Sequence, residues 1–176
     1  MFDDAANHDT AAYAAGVSEG SIRHACELSI LSPPARVFEV LTDFERYMAQ
    51  WASGPIEARK LTPGPTAPGT RFQVTAKLAS VRMRSPYVIT GLERDRRFAG
   101  DGIAGPVRFS EEYRLDTDRW EPSGTRLRYE MQAEPRGIFR LVRRPLSSQL
   151  RRLLDADLAR FKTLVESIVD TDAKPT

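Results

Sequence analysis

Two carboxylates stand where hydrophobic periodicity asks for apolar side chains, and they are the first candidates for chemistry. Glu111 shares one face of an alternating run with Val107, Phe109, Tyr113 and Leu115. Asp157 falls near the centre of the apolar face of a long amphipathic stretch, Arg144 to Val169. A carboxylate taken out of water must be ion-paired, hydrogen-bonded or protonated. If both reach one pocket, one could be held protonated while the other stays ionised, and the pair could then divide acid and base work. Such a pair suits enolisation, aldol-type ring closure or dehydration of a polyketone. The plainer reading gives each carboxylate an arginine or tyrosine partner near a cavity mouth, where it serves to hold the helix in place.

Other reactive groups are sparse. His24 lies on an inward face of an alternating strand and reads as a core or rim residue. His8 and His24 are the only histidines and Cys26 the only cysteine. A zinc site is therefore not expected, nor is an internal disulfide. The chain has no Gly-rich phosphate loop, nucleophile elbow or Cys/His pairing, so no cofactor is expected either.

The elements that must position these groups follow from pattern. In Arg144 to Val169, residues Leu146, Leu150, Leu153, Leu154, Leu158, Phe161, Leu164, Val165 and Ile168 fall within an arc of about 140° on a helix. A helix with one such dry flank needs a large concave partner. Strict alternation from Ser21 places Ile22, His24, Cys26, Leu28 and Ile30 on one side of a strand. Ser32 before Pro33 and Pro34 suits a helix cap, and Asp43 suits a second, ahead of Phe44, Tyr47, Met48 and Trp51. Strands are then expected over Ile56–Thr62, Arg71–Leu78, Val81–Leu92, Arg97–Gly102, Val107–Asp116 and Thr125–Glu134. Pro86 within the third of these marks an edge position or a bulge.

At 176 residues the chain fits one domain with a real core and room for a cavity. Its expected limits are a domain over 21–169 between flexible tails at 1–20 and 170–176. The net charge of +2 gives no electrostatic case for nucleic acid. No segment approaches a membrane span, and Asp3 and Asp4 stand where a signal peptide wants basic residues. A soluble, cytoplasmic protein is the expectation; its oligomeric state is not legible.

Strand, two short helices, six strands and a long closing helix imply a curved antiparallel sheet gripping that helix. Three stretches carry a closer likeness: ILSPPARVFEVLTDFERYMAQW from Ile30, SGTRLRYEM from Ser123 and PRGIFRLVRRPLSSQLRRLLDADLARFKTLVES from Pro135. On these residues the chain resembles the START-like (SRPBCC, helix-grip) superfamily, in its polyketide cyclase/dehydrase and lipid-transport branch. Met48-Ala49-Gln50 stands where many members have a proline before the tryptophan. The resemblance implies an α+β helix-grip fold of seven strands, with two short helices between strands 1 and 2.

It also implies a pocket between sheet and helix for a hydrophobic or aromatic small molecule, lipid or polyketide-like. Periodicity independently turns Phe72, Val74, Met83, Phe109, Tyr113, Tyr129, Met131 and Phe161 inward, and aromatic and Met linings suit an apolar guest. With Trp51 and Leu154 these are the expected ligand-binding residues; plain core packing is the competing reading. Binding is the first functional reading, and a cyclase/dehydrase-like enzyme using Glu111 and Asp157 the second. A third rests on the six arginines between Arg136 and Leu154, a stretch without an acid. Positive charge at a helix N-terminus opposes the macrodipole, so this cluster could instead dock an anionic membrane or an acidic partner; a solvated basic face is the plainer reading.

Overall fold

The computed structural model describes residues 21–54, 56–78, 81–121, 123–137 and 143–172. The expected tail at 1–20 lies outside the described residues, as do 173–176; the closing helix continues to Asp172, beyond the expected Val169.

The elements run β1 (Ile22–Ile30), α1 (Pro34–Thr42), α2 (Phe44–Trp51), β2 (Ile56–Lys60), β3 (Arg71–Leu78), β4 (Val81–Glu93), β5 (Arg97–Ala104), β6 (Val107–Thr117), β7 (Thr125–Pro135) and α3 (Arg143–Asp172). All seven strands form one antiparallel sheet in the order β1-β7-β6-β5-β4-β3-β2. From β2 onward each strand pairs with its successor, and β1 closes on β7, so the chain returns to its start before α3 begins.

Local chemistry explains the joints. Asp43 caps α2 as expected, accepting a hydrogen bond from the Arg46 amide at 3.2 Å. Ser32 does not cap α1. Pro34 takes the first helical position, which makes Pro33 the cap residue, and its ring offers no acceptor. Ser32 instead accepts the Thr125 hydroxyl on its carbonyl at 2.6 Å, tying the exit of β1 to the start of β7. Pro86 sits where the ladder between β4 and β5 has run out: that ladder starts at Tyr87 opposite Gly102, while Pro86 pairs with Gln73 on β3. A missing N–H is tolerated at such a one-sided position. The register shift in β4 lies further on, between Ile89 and Gly91.

The concave face of the sheet and α3 enclose the core. Leu158, Phe161 and Val165 are buried, with Leu150, Leu154, Leu164 and Ile168 packed against them. Leu153 is a correction: it lies at the margin of the expected apolar arc and is 46% exposed. Two polar contacts fix α3 along β1. Lys162 Nζ donates to the Ser29 carbonyl at 2.7 Å, and Glu166 accepts the Leu31 amide at 2.8 Å. Among the described residues no helix is long and apolar enough to cross a membrane.

Candidate functional site

Glu111 lies on the concave wall, two residues before Tyr113 on β6 and therefore on the same face. Its Oε1 accepts the Tyr87 hydroxyl at 2.8 Å, and its Oε2 accepts those of Tyr113 and Tyr129, each at 3.2 Å. Three strands thus converge on one carboxylate. Tyr113 and Tyr129 are direct cross-strand partners whose ring centroids are 4.7 Å apart, so β6 and β7 deliver two of the phenols together.

Tyr87 must reach across a whole strand, because β5 lies between β4 and β6. Two glycines on β5 make that crossing possible. Gly100 pairs with Glu111, and a Cβ there would lie 2.0 Å from Tyr87 Oη. Gly102 pairs with Tyr87 on one side and Phe109 on the other, and a Cβ there would lie 2.3 Å from the Phe109 ring. The bare backbone of β5 is the floor over which both rings are laid.

Burial pushes the Glu111 carboxyl above its usual range; the three phenol bonds pull it back, and the charge of nearby Asp101 adds to the rise. Burial, followed by the charge of Glu111, also drives the Tyr87 and Tyr113 phenols well above their ordinary range, and the same two causes act on Tyr129. The phenols therefore remain hydrogen-bond donors throughout the accessible pH range. Among the described residues, no basic side chain forms an ion pair with Glu111.

Asp157 is engaged elsewhere. Ser53 donates to its carboxylate, and Arg160, one turn further along α3, pairs with it and also donates to the Ser53 hydroxyl. Arg160 Nε reaches the carbonyl of Trp51 at 3.0 Å, the last residue of α2. A guanidinium there satisfies an orphan carbonyl at a helix C-terminus, where positive charge is favoured. Asp157, with a side chain 13% exposed, thus anchors the arginine that joins α3 to α2. Glu111 and Asp157 have no hydrogen-bond partner in common.

His24 points to the same concave side. Its Nε2 lies 3.0 Å from Asp155 Oδ1 without the alignment of a hydrogen bond, and its ring meets Tyr129 edge-on at 6.1 Å. Burial, reinforced by Asp155, raises the Cys26 thiol, consistent with an unreactive packing residue.

The expected lining residues are graded in depth. Phe72, Tyr113, Tyr129, Met131 and Phe161 are buried, as is Trp51, whose ring stands edge-on to Phe161 at 5.4 Å. Val74, Phe109 and Leu154 are only partly buried, as are Met83, Val107 and Leu150. Along β6 burial deepens from half-buried Val107 and Phe109 to buried Tyr113 and Leu115, while Ile22 and Ala133, in register with Phe109, are buried. Glu111 sits on β6 flanked by half-buried Phe109 and buried Tyr113. Among the described residues the Trp51 indole N–H is buried and has no hydrogen-bond partner.

A depression of about 470 Å³ is lined by Arg23, Arg97, Asp101, Glu112 and Glu130, and Glu111 and His24 border it as well. Of the basic cluster, Arg136, Arg151 and Arg152 are exposed, and Arg151 donates to the Arg23 carbonyl at 3.3 Å. Arg140 lies outside the described residues, as do the side chains of Arg143 and Arg144.

Tyr87, Gly100 and Gly102, with the Ser53 and Arg160 partners of Asp157, are absent from the expected site residues, which include Glu111, Tyr113 and Tyr129. The signal for the first three was present: two glycines spaced by two on a strand mark a face that a neighbouring ring can cross.

The grip of this sheet on its helix recurs in solved structures. The Zhui aromatase/cyclase from Streptomyces sp. R1128 matches with a TM-score of 0.72 at 19% identity, over 88% of this chain and 99% of that one. TTHA0849 from Thermus thermophilus gives 0.67 at 16% identity, over 83% and 98%. The protein Ara h 8.0201 gives 0.66 at 14% identity, over 84% and 99%. No curated protein matches the chain in sequence. The family described as polyketide cyclase/dehydrase and lipid transport matches residues 27–166, most of the helix-grip domain. With its seven-stranded curved sheet closed on a C-terminal helix, the chain belongs to that family, within the START-like superfamily.

Proposed function

We propose that this protein binds a hydrophobic or aromatic small molecule between the concave wall and α3, with the Glu111 cluster holding the ligand's polar group. The observation that carries this reading is the change of burial along β6, from half-buried Phe109 to buried Tyr113, with the inward carboxylate of Glu111 between them. A polar cluster placed where the apolar lining loosens orients a guest that the aromatic surface retains. Phe109, Val74, Met83 and Leu154 form the looser lining; Tyr113, Tyr129 and Phe72 form the firm base.

An enzymatic reading is favoured by one feature, the inward, half-buried carboxyl whose affinity for its proton is raised beside three phenol donors. Such a group suits proton transfer to or from a polyketone. In this reading Glu111 carries the chemistry and Asp157, occupied by Arg160 and Ser53, supports the helix that covers the site.

The test is native mass spectrometry of the purified protein, followed by extraction and titration with a fluorescent apolar probe. A co-purifying apolar compound, or saturable probe binding that weakens when Phe109 or Leu154 is replaced by Gln, is the expected result. Probe binding that is absent, or indifferent to both changes, would refute the cavity reading.

A further inference from the structure

The charge at the Glu111 cluster is unbalanced. Three neutral phenols satisfy the carboxylate as hydrogen-bond donors, but none neutralises it, and among the described residues no lysine, arginine or histidine pairs with it. Asp101 on the adjacent strand β5, whose charge adds to the rise of the Glu111 carboxyl, is also acidic. Buried carboxylates normally have a cationic partner or give up their charge.

The rings around it form an apolar collar that turns its hydroxyls to the carboxylate. Tyr113 lies against Tyr129 at 4.7 Å and against Phe98 at 5.7 Å, while Tyr87 lies 6.2 Å from Phe109. The Gly100 and Gly102 positions keep this assembly of rings close to the carboxylate.

We infer that the ligand is an apolar or aromatic molecule bearing a protonated amine, which seats its ammonium on Glu111 within the Tyr87, Tyr113 and Tyr129 cluster. This rests on the cavity reading above and narrows its ligand class. The ammonium supplies the missing counter-charge by donating to the lone pair of Oε1 that the phenols leave free. The apolar body lies along Phe109, Val74 and Leu154. No covalent step is involved, and Glu111 is ionised in the complex.

Three probes with one aromatic body separate the possibilities: naphthylmethylamine, naphthylmethanol and naphthoate, titrated at neutral pH by their own fluorescence. Wild type is expected to bind the amine at least about tenfold more tightly than the alcohol and to bind naphthoate weakest. Glu111→Gln is expected to lose that preference, with affinity for the amine falling at least about tenfold, while circular dichroism and a cooperative thermal transition show that the variant is folded. If wild type binds the alcohol or naphthoate as tightly as the amine, the inference is overturned and the cavity reading stands. A preference for the amine that survives Glu111→Gln overturns it as well. If none of the three binds, the cavity reading and the inference fall together.

Discussion

The hydroxyl of Tyr87 fills the space that a side chain on Gly100 would need: a Cβ there would lie 2.0 Å from Tyr87 Oη and 2.3 Å from its Cζ. The phenol that crosses β5 to reach Glu111 can do so only while position 100 is bare. Gly100→Ala should therefore displace Tyr87, break its bond to Glu111 and cost roughly 1–3 kcal/mol, the usual penalty for overpacking. Urea denaturation of Gly100→Ala, Tyr87→Ala and the double variant measures this. The double variant should cost less than the sum of the two single changes, because removing the ring removes the clash. Strict additivity would show that the two positions do not compete for space.

The three hydroxyls also control the proton affinity of Glu111. Each donates to the ionised carboxylate and so opposes the rise caused by burial. Tyr87→Phe or Tyr129→Phe should raise the Glu111 carboxyl further, and each should cost about 1 kcal/mol of stability for the lost bond. Carboxyl-detected NMR titration of wild type and the two variants gives the direction. A lower titration midpoint in either variant would contradict the arrangement.

Stability should follow pH in a way that identifies the same group. The folded chain holds the Glu111 proton more tightly than the unfolded chain, whose ordinary value is 4.5. A group of this kind contributes stability that is fully present below the unfolded value and is lost as pH rises through the folded one. The facing phenols, Tyr87, Tyr113 and Tyr129, remain protonated over this range. Asp101 on β5 is raised by burial as well, but it is present in both proteins of the comparison. The stability of wild type relative to Glu111→Gln, from denaturation at stepped pH, should be greatest at the acid end and decline towards neutral pH. A difference that grows with pH would place the carboxylate in an ion pair that the structure does not show.

The grip of sheet on helix was readable because period-2 and period-3.6 apolar patterns are imposed by burial itself. Val107, Phe109, Tyr113 and Leu115 had to share a face, and Leu158, Phe161 and Val165 had to share another. Glu111 stood out for the same reason. Its partners did not, because cross-strand neighbours depend on register: Tyr87 meets Glu111 only through the pairing of β4 with β5 and β5 with β6. Alternation along a single strand cannot supply that. Leu153 shows a related limit, since a side chain at the margin of an apolar arc is buried or exposed according to how far the sheet extends beneath it. The Ser32 expectation failed on one residue of offset, because two consecutive prolines moved the start of α1 past the serine.

Asp157, expected from its place on the apolar face to be a second chemical carboxylate, has contacts that assign it measurable structural work. Arg160 bonds the Trp51 carbonyl, Ser53 and Asp157 at once, joining the end of α2 to α3. Arg160→Ala would leave a mostly buried carboxylate with Ser53 alone and expose the end of α2, at a cost of about 1–3 kcal/mol. Asp157→Asn should cost less, about 1 kcal/mol, since Ser53 and Arg160 can still bond the amide oxygen. The guanidinium is partly solvated, so the coupling between the two positions in a double-mutant cycle should be modest, about 0.5–1 kcal/mol. The decisive readout is ligand affinity. Asp157→Asn should leave probe binding within about threefold of wild type at temperatures where both are folded, a change of under about 1 kcal/mol. A well-folded Asp157→Asn protein that no longer binds, or that binds and no longer turns over a polyketone, would return the helix carboxylate to the site.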